Sequence, residues 1–195
     1  MATHLIGLLG RKRSGKDAFA SRLVAEHGYT RFAFADALRT AALALDPIIP
    51  VYPDEHGILP DWALPDDRPF LPRLSYLVTE MGWEAAKELR EVRRTLQHMG
   101  TGVRALDPDF WLRVVMDAVR NHPGPAVITD VRFPNEAYAV RSAGGRTIRI
   151  IRPSLGARVD EHISETALDD FEPGQYIFND GSLADLRREA DHVAQ

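Results

Sequence analysis

Five short apolar runs punctuate the chain: "HLIGLL" (4–9), "RFAFA" (31–35), "AVIT" (126–129), "TIRIIR" (147–152) and "YIFN" (176–179). Several are continuous rather than alternating, which predicts strands buried on both faces of a parallel sheet. Between them, apolar positions recur at helical spacing. Residues 15–27 place Phe19, Leu23 and Val24 on one face, and residues 36–45 carry Leu38, Leu43 and Leu45. "DPDFWLRVVMDAVRN" (107–121) opens with Asp107 and Pro108, a cap followed by a first-turn proline. "NEAYAVRSAGG" (135–145) ends in glycine, as helices often do. "SLADLRREADHVA" (182–194) closes the chain with Ser182 as the expected N-cap. Strands alternating with helices predict an α/β fold, a five-stranded parallel sheet flanked by helices.

Residues 46–73 break this rhythm. "DPIIPVYPDEHGILPDWALPDDRPFLPR" carries Pro47, Pro50, Pro53, Pro60, Pro65, Pro69 and Pro72, so it cannot be one helix. It reads as an irregular excursion, followed by helical segments at about 74–88 and 89–99. Two readings stand: a long surface loop, or a segment that covers a substrate, since long ordered loops in compact domains are often functional.

Composition narrows the class. The 195 residues suffice for one domain with a sizeable core. With 45% apolar and 27% charged residues the chain is an ordinary globular sequence, and its net charge of −4 gives no ground for expecting nucleic acid as a partner. No apolar run approaches the ~18 residues of a membrane span, and the basic residues follow the N-terminal apolar run, the wrong order for a signal peptide. There is no cysteine, hence no disulfide or thiolate metal site, and a cytoplasmic setting is expected.

The chemistry starts at "LIGLLGRKRSGKDAF" (5–19), an apolar strand running into G-x-x-x-x-G-K from Gly10 to Lys16. Glycines let such a loop curl until successive N–H groups face one anion, and the positive end of the next helix adds to the field. Lys16 would reach the β- and γ-phosphates of a nucleotide. Asp17 is the departure, because Ser or Thr normally follows the lysine and its hydroxyl ligates Mg²⁺. A carboxylate is also a hard oxygen ligand, directly or through water. Its charge would be offset by Arg11, Lys12 and Arg13. The competing reading is a degraded loop in a non-catalytic protein.

Ligands of an open α/β sheet sit outside the carboxyl ends of the strands. Several charged or polar residues fall there: Arg39 after the second run, Asp130 and Arg132 after the third, Arg152 and Arg158 after the fourth, and Asn179 and Asp180 at the fifth. A phosphate acceptor needs no general base, since its oxygen is already ionised, but it does need cations to hold two anions together. A lone surface arginine is more often a solvated face; the grouping at one sheet edge gives these residues their weight.

The run "GRKRSGKD" with its aspartate resembles the deoxynucleoside monophosphate kinases of phage type. So do "FADALR", "LQHMGTGVRALDPDFW" (96–111), "VITDVRFPNEA", "HISET" (162–166) and "FNDGSLADL" (178–186). The resemblance implies a P-loop kinase fold with an acceptor-binding insertion (46–104) and a lid (153–166). It implies ATP and a nucleoside monophosphate as partners, Mg²⁺ as cofactor, and the option of a homodimer. Arg13, Ser14, Gly15, Lys16 and Asp17 would hold the ATP phosphates, with Asn179 near the donor base. Asp17 and Asp130 would lie at Mg²⁺. Asp36, Arg39, Arg104, Arg132 and Glu136 would bind the acceptor, with Arg39 standing where the family usually has Lys. Lys16, Arg132 and Arg158, the last a closing arginine of the lid, would carry catalysis. Ala18 departs from the family's usual Thr. Alternatives are a kinase of another small phosphorylated metabolite, such as phosphomevalonate or dephospho-coenzyme A, and a nucleotide-binding module without phosphoryl transfer.

Other features stay structural. Trp83 and Trp111 read as core or pocket wall. His98 and His162 have no partner histidine at metal-ligand spacing. There is no G-x-S-x-G nucleophile motif and no guanine-reading N-K-x-D.

Overall fold

The strand β1 (Leu5–Leu9) is buried along its whole length, with Leu8 and Leu9 fully inaccessible. It can be, because every neighbouring strand hydrogen-bonds to it in parallel and helices cover both faces. The computed structural model describes residues 4–52, 54–55, 70–156 and 166–195. Two compact units divide the chain: residues 1–35 with 111–195, and residues 36–110.

In the first unit, β1 is followed by α1 (Lys16–His27) and β2 (Thr30–Phe32). The chain later continues through β3 (Ala126–Ile128), α6 (Pro134–Ser142), β4 (Arg146–Ile151), β5 (Gln175–Phe178) and α7 (Leu183–Val193). The strand order is β2-β3-β1-β4-β5 and every pairing is parallel, in register Ile6↔Val127, Leu8↔Ile148 and Ile150↔Ile177. Ile6, Leu8, Ile148, Ile150 and Ile177 pack with Phe19 and Leu23 of α1 and Leu186 and Ala190 of α7. Gly7, between Ile6 and Leu8, faces the other way: a Cβ there would lie 3.1 Å from Val140 of α6. The unit is therefore a three-layer sandwich. Because β1 has β3 on one side and β4 on the other, the crevice for a ligand opens at its carboxyl end, where the strand order switches.

All five expected strands are present, four of them within one residue of their expected bounds. The "RFAFA" strand stops at Phe32, and α2 (Phe34–Leu45) starts at once. The cause is Asp130, whose two carboxylate oxygens accept the N–H groups of Phe34 (2.8 Å) and Ala35 (2.9 Å) and so cap the first turn of α2. The expected stripe on α1 also narrows. Phe19, Ala20 and Leu23 are buried but Val24 is exposed, as is Leu45 on α2.

The 36–110 unit holds α3 (Leu74–Ala86), α4 (Arg90–Leu106) and most of α2, around a core of Ala42, Ile49, Val51, Leu74, Leu77, Leu89 and Val92. The ends of the Pro-rich stretch are pinned by antiparallel bridges, Ile48 with Arg73 and Val51 with Phe70. Asp46 accepts the Ser75 N–H at 2.8 Å, and this bond holds its carboxyl below the usual carboxylate range. Buried Glu55 accepts the Arg90 N–H at 2.7 Å and caps α4. The middle of the stretch, 56–69, lies outside the described residues.

α4 runs through Gly100 and Gly102 to Leu106, well past the expected end at 99. The start of the next helix is also shifted. Asp107 ends α4 and also caps the turn into the next helix: its carboxylate accepts the Asp109 N–H (3.2 Å) and its carbonyl the Phe110 N–H (3.2 Å), and α5 (Phe110–Arg120) starts two residues later than Pro108. Among the described residues no helix is long and apolar enough to cross a membrane.

Candidate active site

The turn from β1 into α1 is built on unusual backbone. Gly10 has φ 136°, Arg13 φ 65° and Gly15 φ 109°, conformations that favour glycine. Arg13 is exposed and carries that strain without a glycine's freedom, a mark often left by function. The Lys16 ammonium folds back over the loop and donates to the carbonyls of Gly10 (2.6 Å) and Arg11 (2.8 Å). Ser14 donates its N–H to the Arg11 carbonyl at 3.1 Å. Its hydroxyl is buried with no hydrogen-bond partner among the described residues, a costly state for a polar atom unless a ligand completes it. Asp17 lies exposed in the first turn of α1.

β5 ends against this loop. The Asn179 N–H donates to the Ile151 carbonyl (2.7 Å), and its side-chain amide donates to the Ser14 carbonyl (2.8 Å). The next turn is locked by Asp185, which accepts both the N–H (2.7 Å) and the hydroxyl (2.6 Å) of Ser182. Those two bonds, with Arg188 nearby, hold the Asp185 carboxyl below the usual range. Ser182 caps α7 as expected, by accepting the Asp185 N–H.

A cavity of about 320 Å³ opens beside the loop. Gly10, Arg11 and Ser14 line one wall; Val131 and Arg132 come from the turn after β3; Arg149 to Ile151 come from β4, and Arg152, Pro153, Leu155 and Gly156 from the segment beyond it. Among the described residues four arginines line it and Asp169 is its one acid, so it favours anions. Two of these arginines are committed to the wall itself. Arg11 donates to the Gly156 carbonyl (2.8 Å), and Arg149 to the carbonyls of Leu168 and Phe171. Motif spacing predicts neither Arg149 nor the 168–169 wall at the site. The signal in the sequence is the alternation "RTIRII", which places Arg149 on the face opposite Ile148 and Ile150.

The structure gives several expected residues defined work. Arg132 lines the cavity, and its backbone N–H is held by Glu136 Oε2 at 2.8 Å. Glu136 is buried and also accepts the Phe133 N–H (3.1 Å), so its carboxylate fixes the turn that presents Arg132. Asp130, two residues earlier, is tied to the start of α2 through the N–H groups of Phe34 and Ala35. In the 36–110 unit, Arg39 reaches Asp36 (3.4 Å) and Glu84 (3.5 Å), and its guanidinium lies 5.5 Å from the Trp83 ring centroid. Trp83 is thus a wall for an arginine, while Trp111 is core. Arg104 lies in the last turn of α4. Arg158 and most of the expected lid lie outside the described residues, apart from a 3₁₀ turn at Pro153–Leu155, Gly156 and Thr166. Among the described residues no three His, Asp or Glu side chains converge as a metal cage.

Residues 77–190 match the family model described as deoxynucleotide monophosphate kinase. An Acanthamoeba polyphaga mimivirus protein provisionally named deoxynucleotide monophosphate kinase is 34% identical over 171 residues, covering 84% of this chain and 81% of that protein. The deoxynucleotide monophosphate kinase of Escherichia phage RB69 is 30% identical over 108 residues, 52% of this chain and 44% of the phage protein. That of Enterobacteria phage T4 is 31% identical over 101 residues, 49% of this chain and 42% of the phage protein. A five-stranded parallel sheet, a lysine-bearing glycine loop at its switch point and these matches lead to one conclusion: the chain belongs to the deoxynucleotide monophosphate kinase family and is a nucleotide-kinase enzyme.

Proposed function

We propose that the chain transfers the γ-phosphoryl group of ATP to a deoxynucleoside monophosphate, giving ADP and the deoxynucleoside diphosphate. The observation that carries this is the joint placement of an anion loop, an unsatisfied buried Ser14 hydroxyl and Arg132 around one arginine-lined cavity. In the reaction an ionised oxygen of the acceptor phosphate forms the new P–O bond as the bond from the γ-phosphorus to the β–γ bridging oxygen breaks. No base is required. Positioning and charge neutralisation do the work.

The loop N–H groups and Lys16 hold the donor phosphates, with the lysine already aligned by two loop carbonyls. Ser14 donates its hydroxyl hydrogen bond to a phosphate oxygen. Arg132, on a turn fixed by Glu136, meets the charge on the transferring group. Arg39 takes the acceptor phosphate, pre-oriented by Asp36 and Trp83, and Arg104 supports it. Mg²⁺ suits this donor set. Asp17 is an exposed hard oxygen ligand, and Asp130 is immobilised by two backbone N–H groups in a manner suited to an outer-shell role. When bound, the ion neutralises charge on the β- and γ-phosphates. One or two carboxylates suffice for a cation that is carried on substrate phosphates.

The test is coupled ADP release with a panel of acceptors: dTMP, dGMP, dCMP, dAMP, their ribose forms, phosphomevalonate and dephospho-coenzyme A. Turnover with one or more deoxynucleotides is expected. Turnover with a non-nucleotide acceptor alone would keep the mechanism and change the substrate. ATP binding with no turnover on any acceptor would make this a binding module.

A further inference from the structure

The sequence resemblance puts Asn179 near the donor base. The geometry points elsewhere: we infer that Asn179 is a positioning residue for the phosphate loop, acting through the Ser14–Gly15 peptide. This inference rests on the reading of residues 10–16 as the donor-phosphate loop.

Three contacts support it. The Asn179 side-chain amide donates to the Ser14 carbonyl at 2.8 Å; a carbonyl only accepts, so the amide nitrogen must be the atom facing it. The same amide lies so close to Gly15 that a Cβ there would come within 2.6 Å of it. The Asn179 backbone N–H is anchored separately, on the Ile151 carbonyl at 2.7 Å, so the side chain reaches the loop from a fixed strand end.

The consequence comes from peptide geometry. In a planar trans peptide the C=O and the following N–H point in opposite directions. By drawing the Ser14 carbonyl toward β5, Asn179 aims the Gly15 N–H the other way. That N–H belongs to the stretch whose donors cradle an anion at the start of α1. Gly15 at φ 109° has no side chain to fix its own orientation, and a glycine peptide is free to rotate unless something holds it. Asn179 supplies the hold. Gly15 in turn leaves the space that Asn179 needs, so the two residues are a matched pair.

Inorganic tripolyphosphate, which has phosphates and no base, separates this role from base recognition. Its affinity is to be measured by calorimetry for the intact protein and for Asn179→Ala, with Asn179→Ser as the second variant should the first fold poorly. The amide proton of Gly15 is followed by NMR in the same titration. The expected result is at least tenfold weaker tripolyphosphate binding in the variants, with the ligand-induced shift of the Gly15 amide reduced or lost. The KM ratio of ATP to GTP should stay within twofold of the unchanged protein. Tripolyphosphate affinity within twofold of wild type, with a changed ATP-to-GTP ratio, would overturn the inference and make Asn179 a base reader. Wild-type protein that fails to bind tripolyphosphate would overturn it together with the phosphate-loop reading. Weaker tripolyphosphate binding and a lost Gly15 shift in the variants, in a protein that turns over no acceptor, would leave this inference standing and remove the proposed reaction.

Discussion

Lys16 Nζ sits 2.6 Å from the carbonyl oxygen of Gly10, the first residue of its own loop. The cation proposed to meet the donor phosphates is therefore held by carbonyls of its own loop. Preorganised charge of this kind costs no rearrangement at the moment of reaction. Lys16→Ala should lower kcat/KM by about 10²–10³-fold, the scale of removing one preorganised charge stabiliser. The far-ultraviolet spectrum and Tm should stay near wild type, because the lost bonds are local to the loop. Wild-type turnover in this variant would remove the loop from the mechanism.

Gly15→Ala should be more severe than its size suggests. At φ 109° any Cβ is strained, and this one would also run into the Asn179 amide. The expected outcome is a stability loss of about 1–3 kcal/mol from the backbone alone, with ATP binding abolished. Denaturant unfolding and ATP titration read the two effects separately. A Gly15→Ala variant that binds ATP normally would contradict the loop geometry.

Asp130→Ala should loosen the start of α2 as well as impair catalysis. It removes the acceptor for two backbone N–H groups in a partly buried place, a loss of about 1–3 kcal/mol per unsatisfied group. Asp130→Asn keeps one acceptor oxygen and should fall between wild type and Ala in urea stability. Equal stability of all three would mean that the cap contributes nothing.

Arg39→Ala should raise KM for the acceptor by about tenfold or more, the scale of a hydrogen bond to a charged group, and leave KM for ATP within about twofold. Arg132→Ala should act chiefly on kcat, because that side chain is assigned to the transferring group. Steady-state kinetics with both substrates varied distinguishes the two. An unchanged acceptor KM in Arg39→Ala would mean that the acceptor is bound elsewhere.

Away from the site, Asp191 of α7 accepts from Arg22 Nε (2.8 Å) and Arg22 Nη2 (3.0 Å) and meets His27 Nε2 at 2.8 Å, both partners on α1. Those bonds, Arg22 first, lower its carboxyl to about 2. A carboxylate lowered by folding contributes stability above its unfolded value, about 3.9, and loses it as pH falls through the folded value. The clasp between α1 and α7 should therefore weaken between about pH 4 and pH 2. Asp191→Asn should lower stability at pH 7 and flatten the acid slope in that window. A slope identical to wild type would show that the acid sensitivity comes from other carboxylates.

Much of this architecture is legible in the residues, for identifiable reasons. The buried parallel strands announce themselves as continuous apolar runs, and the loop as glycines and lysine at fixed spacing, since both are local patterns. Local patterns fail where a distant residue decides a boundary. Nothing near Phe34 in sequence says that Asp130 will cap it 96 positions away, so "RFAFA" reads as a longer strand than it forms. Asp107–Pro108 has the form of a helix start, yet the preceding helix claims Asp107 as its end. Val24 carries an apolar label but faces solvent, because only Phe19, Ala20 and Leu23 of α1 fall on the core side. Of the residues that line the cavity, motif spacing singles out Ser14 and Arg132. It cannot show that Glu136 works behind Arg132, that Arg149 braces the cavity wall, or that Asn179 turns toward the loop, since each depends on where separate elements meet.

Phosphoryl transfer itself is read by following label from γ-labelled ATP in the presence of Mg²⁺ and each deoxynucleoside monophosphate in turn. The expected result is label in a deoxynucleoside diphosphate, with little in inorganic phosphate, and loss of that product in Lys16→Ala. Label that appears only in inorganic phosphate, or stays in ATP with every deoxynucleotide offered, would contradict the proposed reaction.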